Sequence, residues 1–399
     1  MPVLTIPSRL ETGAGSIQNI SQLVNAEGCS KVLIIMDNIL AQEPIRLDKR
    51  VTSILEQANI ENALFCECLG EPTDVDVNKA VEIAKKVGAD CIVAIGGGSA
   101  LDLAKAVAVF ACNDDIKWNQ IAQQTYLKCL PIIAAPTTAG TGSEATKITV
   151  IINTETNSKM NPGHQELIPK VAILDPELSV SLPQKFTAFT GMDAITHAME
   201  GYVSTRANEL TDLYALEAIR ICGEALPKAY EDGADLDARQ KMLLGSYYAG
   251  VAFSNASTNL AHAGGRALGT AFNVPHGLSV TLLLPFVMGL GIEAAQERYA
   301  NVALALGADE KLGEAKLANE AIRIINEYNN KFGIWNSAKE YITDTNKLRN
   351  SISKLVEDTM IGVKLNPTGN NGIITNRKVP TEEDVAYMFE QLAKRIEEV

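Results

Sequence analysis

Three runs in the first half of the chain, KVLIIMD (Lys31–Asp37), CIVAI (Cys91–Ile95) and LPIIAAP (Leu130–Pro136), are apolar almost end to end, with stretches of helical period between them. A strand that alternates polar and apolar residues can leave one face in water; a continuous apolar run cannot. Strands of this kind joined through helices pair in parallel, under helices on both faces. RVTSILEQANI (Arg50–Ile60), DVDVNKAVEIAKKVGAD (Asp74–Asp90) and ALDLAKAVAVFA (Ala100–Ala111) supply helices. The second opens on Asp, carries lysines in its last turn and is followed by Gly88, as start and stop signals require. NALFCECLG (Asn62–Gly70), KITVIIN (Lys147–Asn153) and KVAILDPEL (Lys170–Leu178) read as further strands. After SLPQK (Ser181–Lys185) almost everything reads as helix. The expected organisation is an α/β domain over 1–182 and an all-α domain over 183–399.

Charge and composition exclude several functions. A formal net charge of −13 leaves no basic surplus to displace counterions from phosphates, which argues against nucleic acid and against an anionic membrane surface. No apolar run reaches the roughly 20 residues of a membrane span; the best, Val280–Ile292, is interrupted by Pro285. The N-terminus lacks the features of a signal peptide, so a cytoplasmic location is expected. The seven cysteines are scattered through apolar segments without zinc-site spacing, which suits reduced thiols.

Two turns stand out at the expected strand ends. In CIVAIGGGSALDLAK, Gly96, Gly97 and Gly98 have no Cβ, so their backbone can approach a ligand closely. The start of the following helix favours an anion such as phosphate, and Ser99 can cap that helix. The run is neither G-x-G-x-x-G nor a P-loop and is weak evidence by itself. TTAGTGSEA (Thr137–Ala145), dense in hydroxyls and glycines, follows another strand. Ligands of open parallel sheets sit at the carboxyl ends of strands, so the two turns together point to a phosphate-bearing cofactor. Asp37 closes a third strand, where a carboxylate would accept from a ribose diol and repel a 2′-phosphate, favouring NAD over NADP. A strand-end turn residue reads equally well.

The second half holds three of the four histidines, His197, His262 and His276, in segments otherwise suited to burial. GMDAITHAMEGY (Gly191–Tyr202) spaces Asp193 and His197 one helical turn apart, on one face. Any one of these is more often a hydrogen-bonded core residue than a ligand. Together they form a mixed nitrogen and oxygen set, and a divalent cation relieves the cost of burying it. Such a set suits Fe²⁺, Zn²⁺ or Mn²⁺.

With GAGSI (Gly13–Ile17), GGGSALDLAK (Gly96–Lys105), PTTAGTGSEAT (Pro136–Thr146), GMDAITHAMEGY and the His262–His276 block, the chain resembles the iron-containing (group III) alcohol dehydrogenase family. The resemblance implies an N-terminal α/β dinucleotide-binding domain followed by a helical metal domain, a fold of the dehydroquinate synthase type. It implies that Asp193, His197, His262 and His276 coordinate the metal, Fe²⁺ by family. It places the NAD pyrophosphate on Gly97, Gly98 and Ser99, and brings Asp37, Asp102, Thr137, Thr138 and Lys159 toward the rest of the cofactor. It implies reversible NAD(H)-linked hydride transfer to a small aldehyde, and a homodimer or larger homo-oligomer. The alternatives are a dehydrogenase of small neutral alcohols or diols, a lyase of the dehydroquinate synthase kind, and a cofactor- and metal-binding module without turnover.

One position departs from the family pattern. Many members carry a histidine four residues after the equivalent of His262, where it can relay a proton; here that residue is Arg266. Arginine stays protonated and cannot act as a base. The proton then travels by water and the cofactor ribose, or His276 takes part. A guanidinium there also matches an oxyanion, so the expected substrate is an aldehyde with an anionic tail, of the sulfoacetaldehyde or phosphonoacetaldehyde type. An arginine paired internally or turned to solvent is the competing reading.

Overall fold

The computed structural model describes residues 3–156, 158–364 and 374–399. The chain divides into two compact units, one spanning Thr5–Leu182 and the other beginning at Pro183.

The first unit is built on β1 (Arg9–Thr12), β2 (Lys31–Met36), β3 (Glu61–Phe65), β4 (Cys91–Gly96), β5 (Ile132–Pro136), β6 (Ile151–Asn153), β7 (Ser158–Met160) and β8 (Val171–Leu174), with α1 (Ile20–Ala26), α2 (Leu47–Gln57), α3 (Asp74–Val87) and α4 (Gly98–Phe110). Six strands form one parallel sheet in the order β1-β8-β5-β4-β2-β3. Side chains alternate between its faces. Val32, Ile34 and Met36 of β2 join one core, with Leu23 of α1 and Val51 of α2. Leu33 and Ile35 join the other, with Ala80 of α3 and Leu103 of α4. Both faces are therefore covered, as the unbroken apolar runs require.

Strand order places the site. From β2 the chain goes to β3 on one side and then, through α3, to β4 on the other. The crevice between the carboxyl ends of β2 and β4 is thus a topological switch point, where open sheets of this class bind ligands.

The structure departs from the sequence expectation in two places. KITVIIN does not enter the main sheet; only Ile151–Asn153 is strand, and it pairs antiparallel with β7. β1, a short and partly exposed edge strand beside β8, was not expected. The helix over Asp74–Val87 begins where its acidic signal places it, and Thr73 caps it: Thr73 Oγ1 accepts from Asp76 N at 3.1 Å while Asp76 Oδ2 accepts from Thr73 N at 2.9 Å.

The second unit is helical: α5 (Gln184–Val203), α6 (Glu209–Glu231), α7 (Leu236–Ala256), α8 (Leu260–Phe272), α9 (His276–Gly291), α10 (Gln296–Ala305), α11 (Glu314–Lys331), α12 (Ile334–Tyr341), α13 (Thr345–Asn350), α14 (Ile352–Lys364) and α15 (Glu382–Glu398). Pro285 lies inside α9 without ending it, so residues 276–294 are long and apolar enough to cross a membrane by length and composition alone. More than half of that stretch is buried, and α9 packs against α5, α8, α11, α12 and α15 as a core helix.

The close approach of α5 to the start of α9 depends on Gly277. A Cβ there would lie 2.5 Å from the Phe189 carbonyl oxygen and 2.9 Å from its carbon, both backbone atoms that cannot turn aside. This contact brings His276 beside Asp193. Gly277→Ala should destabilise the helical unit by about 1–3 kcal/mol, the usual range for overpacking, read as a lower urea midpoint with an unchanged slope.

Candidate metal centre and cofactor cradle

Asp193 sits in the middle of α5, His262 in the first turn of α8, and His276 at the first residue of α9. One donor atom from each of these three residues lies within 4.8 Å of the others. Asp193 Oδ1 is 3.4 Å from His262 Nε2 and 3.9 Å from His276 Nε2. Asp193 and His262 are buried, with side chains 3% and 5% exposed, whereas that of His276 is 36% exposed.

The orientation of His262 is dictated from behind. Its Nδ1 lies 2.6 Å from Glu200 Oε2. The same carboxylate accepts from the backbone N–H of Asn259 at 2.8 Å and of Ala261 at 2.6 Å. Glu200 is thus fully engaged by the start of α8, and the hydrogen on Nδ1 points to it, which leaves Nε2 to face Asp193. Asp193 Oδ1 and His262 Nε2 are both buried without a hydrogen-bond partner. When the His262 ring is neutral, two lone pairs 3.4 Å apart in a buried site repel each other. A divalent cation between them removes that conflict, and the nitrogen and oxygen donor set suits one. The residues present fit the group.

Charge reinforces the picture. Burial works to raise the Asp193 carboxyl, but His197, His276 and His262 outweigh it and hold the group well below the usual carboxylate range. Burial disfavours the charged His262 ring, while Glu200 and Asp193 push it up to about 9. A proton and a cation therefore compete for one nitrogen.

His197, expected in the same set, is not part of this compact group of three. Its Nδ1 is 3.7 Å from Asp193 Oδ2. Its ring lies nearly flat on Phe253, with centroids 4.2 Å apart and planes at 17°, and 4.1 Å from the His262 ring. The remaining histidine, His164, is structural: Nδ1 accepts from Glu166 N at 3.2 Å and Nε2 lies 3.1 Å from Gln124 O. A cavity lined by Met199, Glu200, Asn259, Leu284 and Tyr299 lies behind Glu200 and includes none of the three donors.

Arg266 follows one turn after His262 on α8 and is mostly buried. Its Nη2 would be 3.5 Å from a Cβ on Gly362 of α14. Burial lowers its pKa and the Glu200 charge opposes that shift. Among the described residues its guanidinium makes no ion pair and no hydrogen bond.

In the α/β unit, the switch point is bridged by Asp37, whose Oδ2 accepts from Gly97 N at 2.6 Å. Burial raises the Asp37 carboxyl, and the Gly97 hydrogen bond opposes it. A Cβ on Gly96 would meet that carboxylate at 2.6 Å, and one on Gly98 would meet Thr141 Cγ2 at 2.7 Å. Glycine is required here by space. Thr138 lies 3.5 Å from the place of a Gly97 Cβ, and Thr137 N donates to Gly96 O at 2.9 Å. The structure therefore gathers Asp37, Gly97, Gly98, Thr137 and Thr138 around one crevice.

The other expected cofactor residues are placed differently. Ser99 does not cap α4; the cap position is Gly97, and no side chain bonds the helix start. Asp102 has both oxygens occupied, Oδ1 by Ser143 Oγ at 2.6 Å and Oδ2 by Val150 N at 2.9 Å. Lys159 pairs with Glu71. Two residues missed in the sequence support the motifs from behind. Glu200 does so in the helical unit. Asp175, fully buried, accepts from Gly15 N, Ile17 N and Glu177 N, each at 3.1 Å, and so fixes the GAGSI turn. Both are acidic residues in apolar context, the one signal that marked them.

A doubly wound unit with glycine turns at its switch point and a helical unit with a buried Asp-His-His cluster are the two halves of a metal-dependent dehydrogenase. The chain belongs to the iron-containing alcohol dehydrogenase family: residues 7–176 match the model described as iron-containing alcohol dehydrogenase, and residues 187–391 match the C-terminal model of the Fe-containing family. It is similar to the NAD-dependent methanol dehydrogenase of Bacillus methanolicus, 35% identical over 331 residues, covering 82% of this chain and 86% of that protein. Among solved structures it resembles 1,3-propanediol oxidoreductase, with a TM-score of 0.90 at 30% identity, covering 98% of this chain and 100% of the other. It also resembles the sulfoacetaldehyde reductase of Bifidobacterium kashiwanohense in complex with NAD+, with a TM-score of 0.84 at 27% identity, covering 98% and 99%. The chain is an oxidoreductase of the alcohol dehydrogenase type.

Two outcomes follow. Glu200→Gln should weaken cation binding by the metal-stripped protein about ten- to a hundredfold, the usual effect of losing a histidine's carboxylate partner, measured by competition with a chromogenic chelator. Glu144, buried at 1% exposure beside Lys105, is one pH-sensitive group of the α/β unit. Burial raises its carboxyl to about 7 from an ordinary 4.5, its own backbone N–H and Lys105 opposing. The folded state thus binds the extra proton between 4.5 and about 7, so this contribution is complete below 4.5 and is lost as pH rises through about 7. Urea midpoints taken across that window should fall with rising pH in the wild type and stay flatter in Glu144→Gln.

Proposed function

We propose that the chain is an NAD(H)-linked alcohol dehydrogenase and aldehyde reductase whose substrate is a small aldehyde carrying an anionic tail. Asp193, His262 and His276, with His197 beside them, hold the divalent cation; Asp37, Gly97, Gly98, Thr137 and Thr138 hold the cofactor. A bound cation supplies Lewis-acid polarisation of a carbonyl oxygen, and a bound nicotinamide supplies the hydride.

The residues around these groups do the orienting. Glu200 holds the His262 ring so that Nε2 faces Asp193. Asp37 is a buried carboxylate at the switch point and would repel a 2′-phosphate, which supports NAD over NADP. The exposed edge of His276 is the face of the cluster open to solvent, where an incoming substrate and its proton can be met.

One observation carries the anionic tail. Arg266 brings a positive charge into the interior one turn from His262, and no carboxylate among the described residues pairs with it. A buried guanidinium without a partner is costly, and a bidentate oxyanion satisfies it. The similar fold of a sulfoacetaldehyde reductase agrees with a charged aldehyde of this size, although that protein is only 27% identical.

Steady-state NADH oxidation with matched neutral and anionic aldehydes tests the reading. The wild type should prefer the anionic member. Arg266→Ala should lower kcat/KM for that member roughly ten- to a hundredfold, the worth of a charge-assisted hydrogen bond, and leave the neutral aldehyde nearly unchanged. Equal use of both aldehydes, unaltered in Arg266→Ala, would return the enzyme to the neutral short-chain alcohols.

A further inference from the structure

Lys105 has no exposed surface. A buried ammonium is expensive unless its donors are all taken, and here they are. Nζ donates to Ser143 Oγ at 2.7 Å, to Thr146 Oγ1 at 2.9 Å and to Ile148 O at 2.8 Å. Asp102, one turn earlier on α4, completes the attachment. Its Oδ1 accepts from Ser143 Oγ at 2.6 Å and lies 3.6 Å from Lys105 Nζ. Its Oδ2 accepts from Val150 N at 2.9 Å, and its carbonyl accepts from Thr149 Oγ1 at 2.7 Å.

The segment gripped in this way, residues 143–150, continues the turn that carries Thr137, Thr138 and Thr141. That turn has little to hold it by itself. Gly140 and Gly142 loosen it, and its local backbone bonds are those of a single turn, Ala145 N to Gly142 O at 2.8 Å and Thr146 N to Ser143 O at 3.2 Å, with Thr137 N reaching Gly96 O on the neighbouring strand at 2.9 Å. Yet Thr138 and Thr141 must stand over Gly97 and Gly98 at the start of α4. Lys105 belongs to the same helix, two turns further along. It therefore ties the threonine turn to the helix that the glycine turn begins.

We infer that Lys105 is a positioning residue for the dinucleotide, fixing the hydroxyl-rich turn over the start of α4 through Ser143, Thr146 and Ile148. The inference rests on the reading that these two turns hold the cofactor. Lys105 touches no ligand in this role. It removes the freedom of a loop that would otherwise have to be ordered at the moment of binding, a cost that appears in cofactor affinity and not in turnover.

The test is an NADH fluorescence titration of the full-length, metal-loaded protein, with steady-state kinetics beside it. Lys105→Met should raise the Kd for NADH roughly ten- to a hundredfold, the cost of ordering about two loop side chains at the moment of binding, and Thr146→Val should raise it several-fold. KM for NADH should rise in step, while kcat at saturating NADH stays close to that of the wild type. A lysine that only holds the fold together would lower kcat through loss of folded protein and leave KM unchanged, and that result overturns the inference. If Lys105→Met yields no folded protein, Thr146→Val decides, and unchanged NADH affinity in it is a refutation. Gly98→Ala separates the two levels of the argument. If it binds NADH like the wild type, the cofactor reading of the turns fails and this inference goes with it. If it binds poorly while Lys105→Met and Thr146→Val bind normally, only the role given to Lys105 is lost.

Discussion

Asp193 Oδ1 and the Nε2 of His262 face each other 3.4 Å apart in a buried site, with no hydrogen-bond partner, and become two opposed acceptors whenever the ring is neutral. Folding does not create such a pair cheaply. Removing charged and polar groups from water without partners costs several kcal/mol, so neighbouring elements must hold the arrangement against relaxation. Glu200 does this from one side by taking Nδ1 of His262 together with the backbone amides of Asn259 and Ala261. The contact of Gly277 with the Phe189 carbonyl does it from the other, by bringing the start of α9 against α5. The helices are packed to keep donors together.

The α/β unit uses the same device for a different end. Asp37, Asp102 and Asp175 each accept from backbone amides at a loop or strand end. In every case a short carboxylate satisfies N–H groups that an irregular segment would otherwise leave bare, which is how a loop can be buried at all. Lys105 is the complementary case, a cation satisfied by hydroxyls and a carbonyl. These anchors set the geometry of the turns, while the glycines only permit it.

Much of this was legible in the residues. Unbroken apolar runs separated by helical periods implied a parallel sheet covered on both faces, and the alternation of β2 between two cores bears that out. Scarcity made the histidines informative, since a chain with four of them shows clearly where three are spent. What escaped was whatever depends on distant partners. Glu200 and Asp175 act on amides 59 and 160 residues away, which no local pattern records. β1 is too short and too exposed to show a period of its own. The i,i+4 spacing of Asp193 and His197 fixes a shared face but not a rotamer, and stacking on Phe253 of α7 decides where the second ring lies. Ser99 looked like a cap by residue type, but the helix starts one residue earlier, where a Cβ-free turn fits.

Helix α8 concentrates the consequences. Its first amides bind Glu200, its third residue presents Nε2 toward Asp193, and one turn later it carries Arg266. A histidine at that last position could change its charge near neutral pH; an arginine cannot. The helix therefore brings a permanent positive charge where a titratable group would have served a proton. On the proposed function, that exchange moves the burden of proton transfer away from α8, toward solvent and the partly exposed edge of His276. It also gives the interior a fixed attraction for an anion. Under the function proposed above, a single residue type thus bears on both halves of the chemistry: where the proton travels, and which aldehyde is retained long enough to need one.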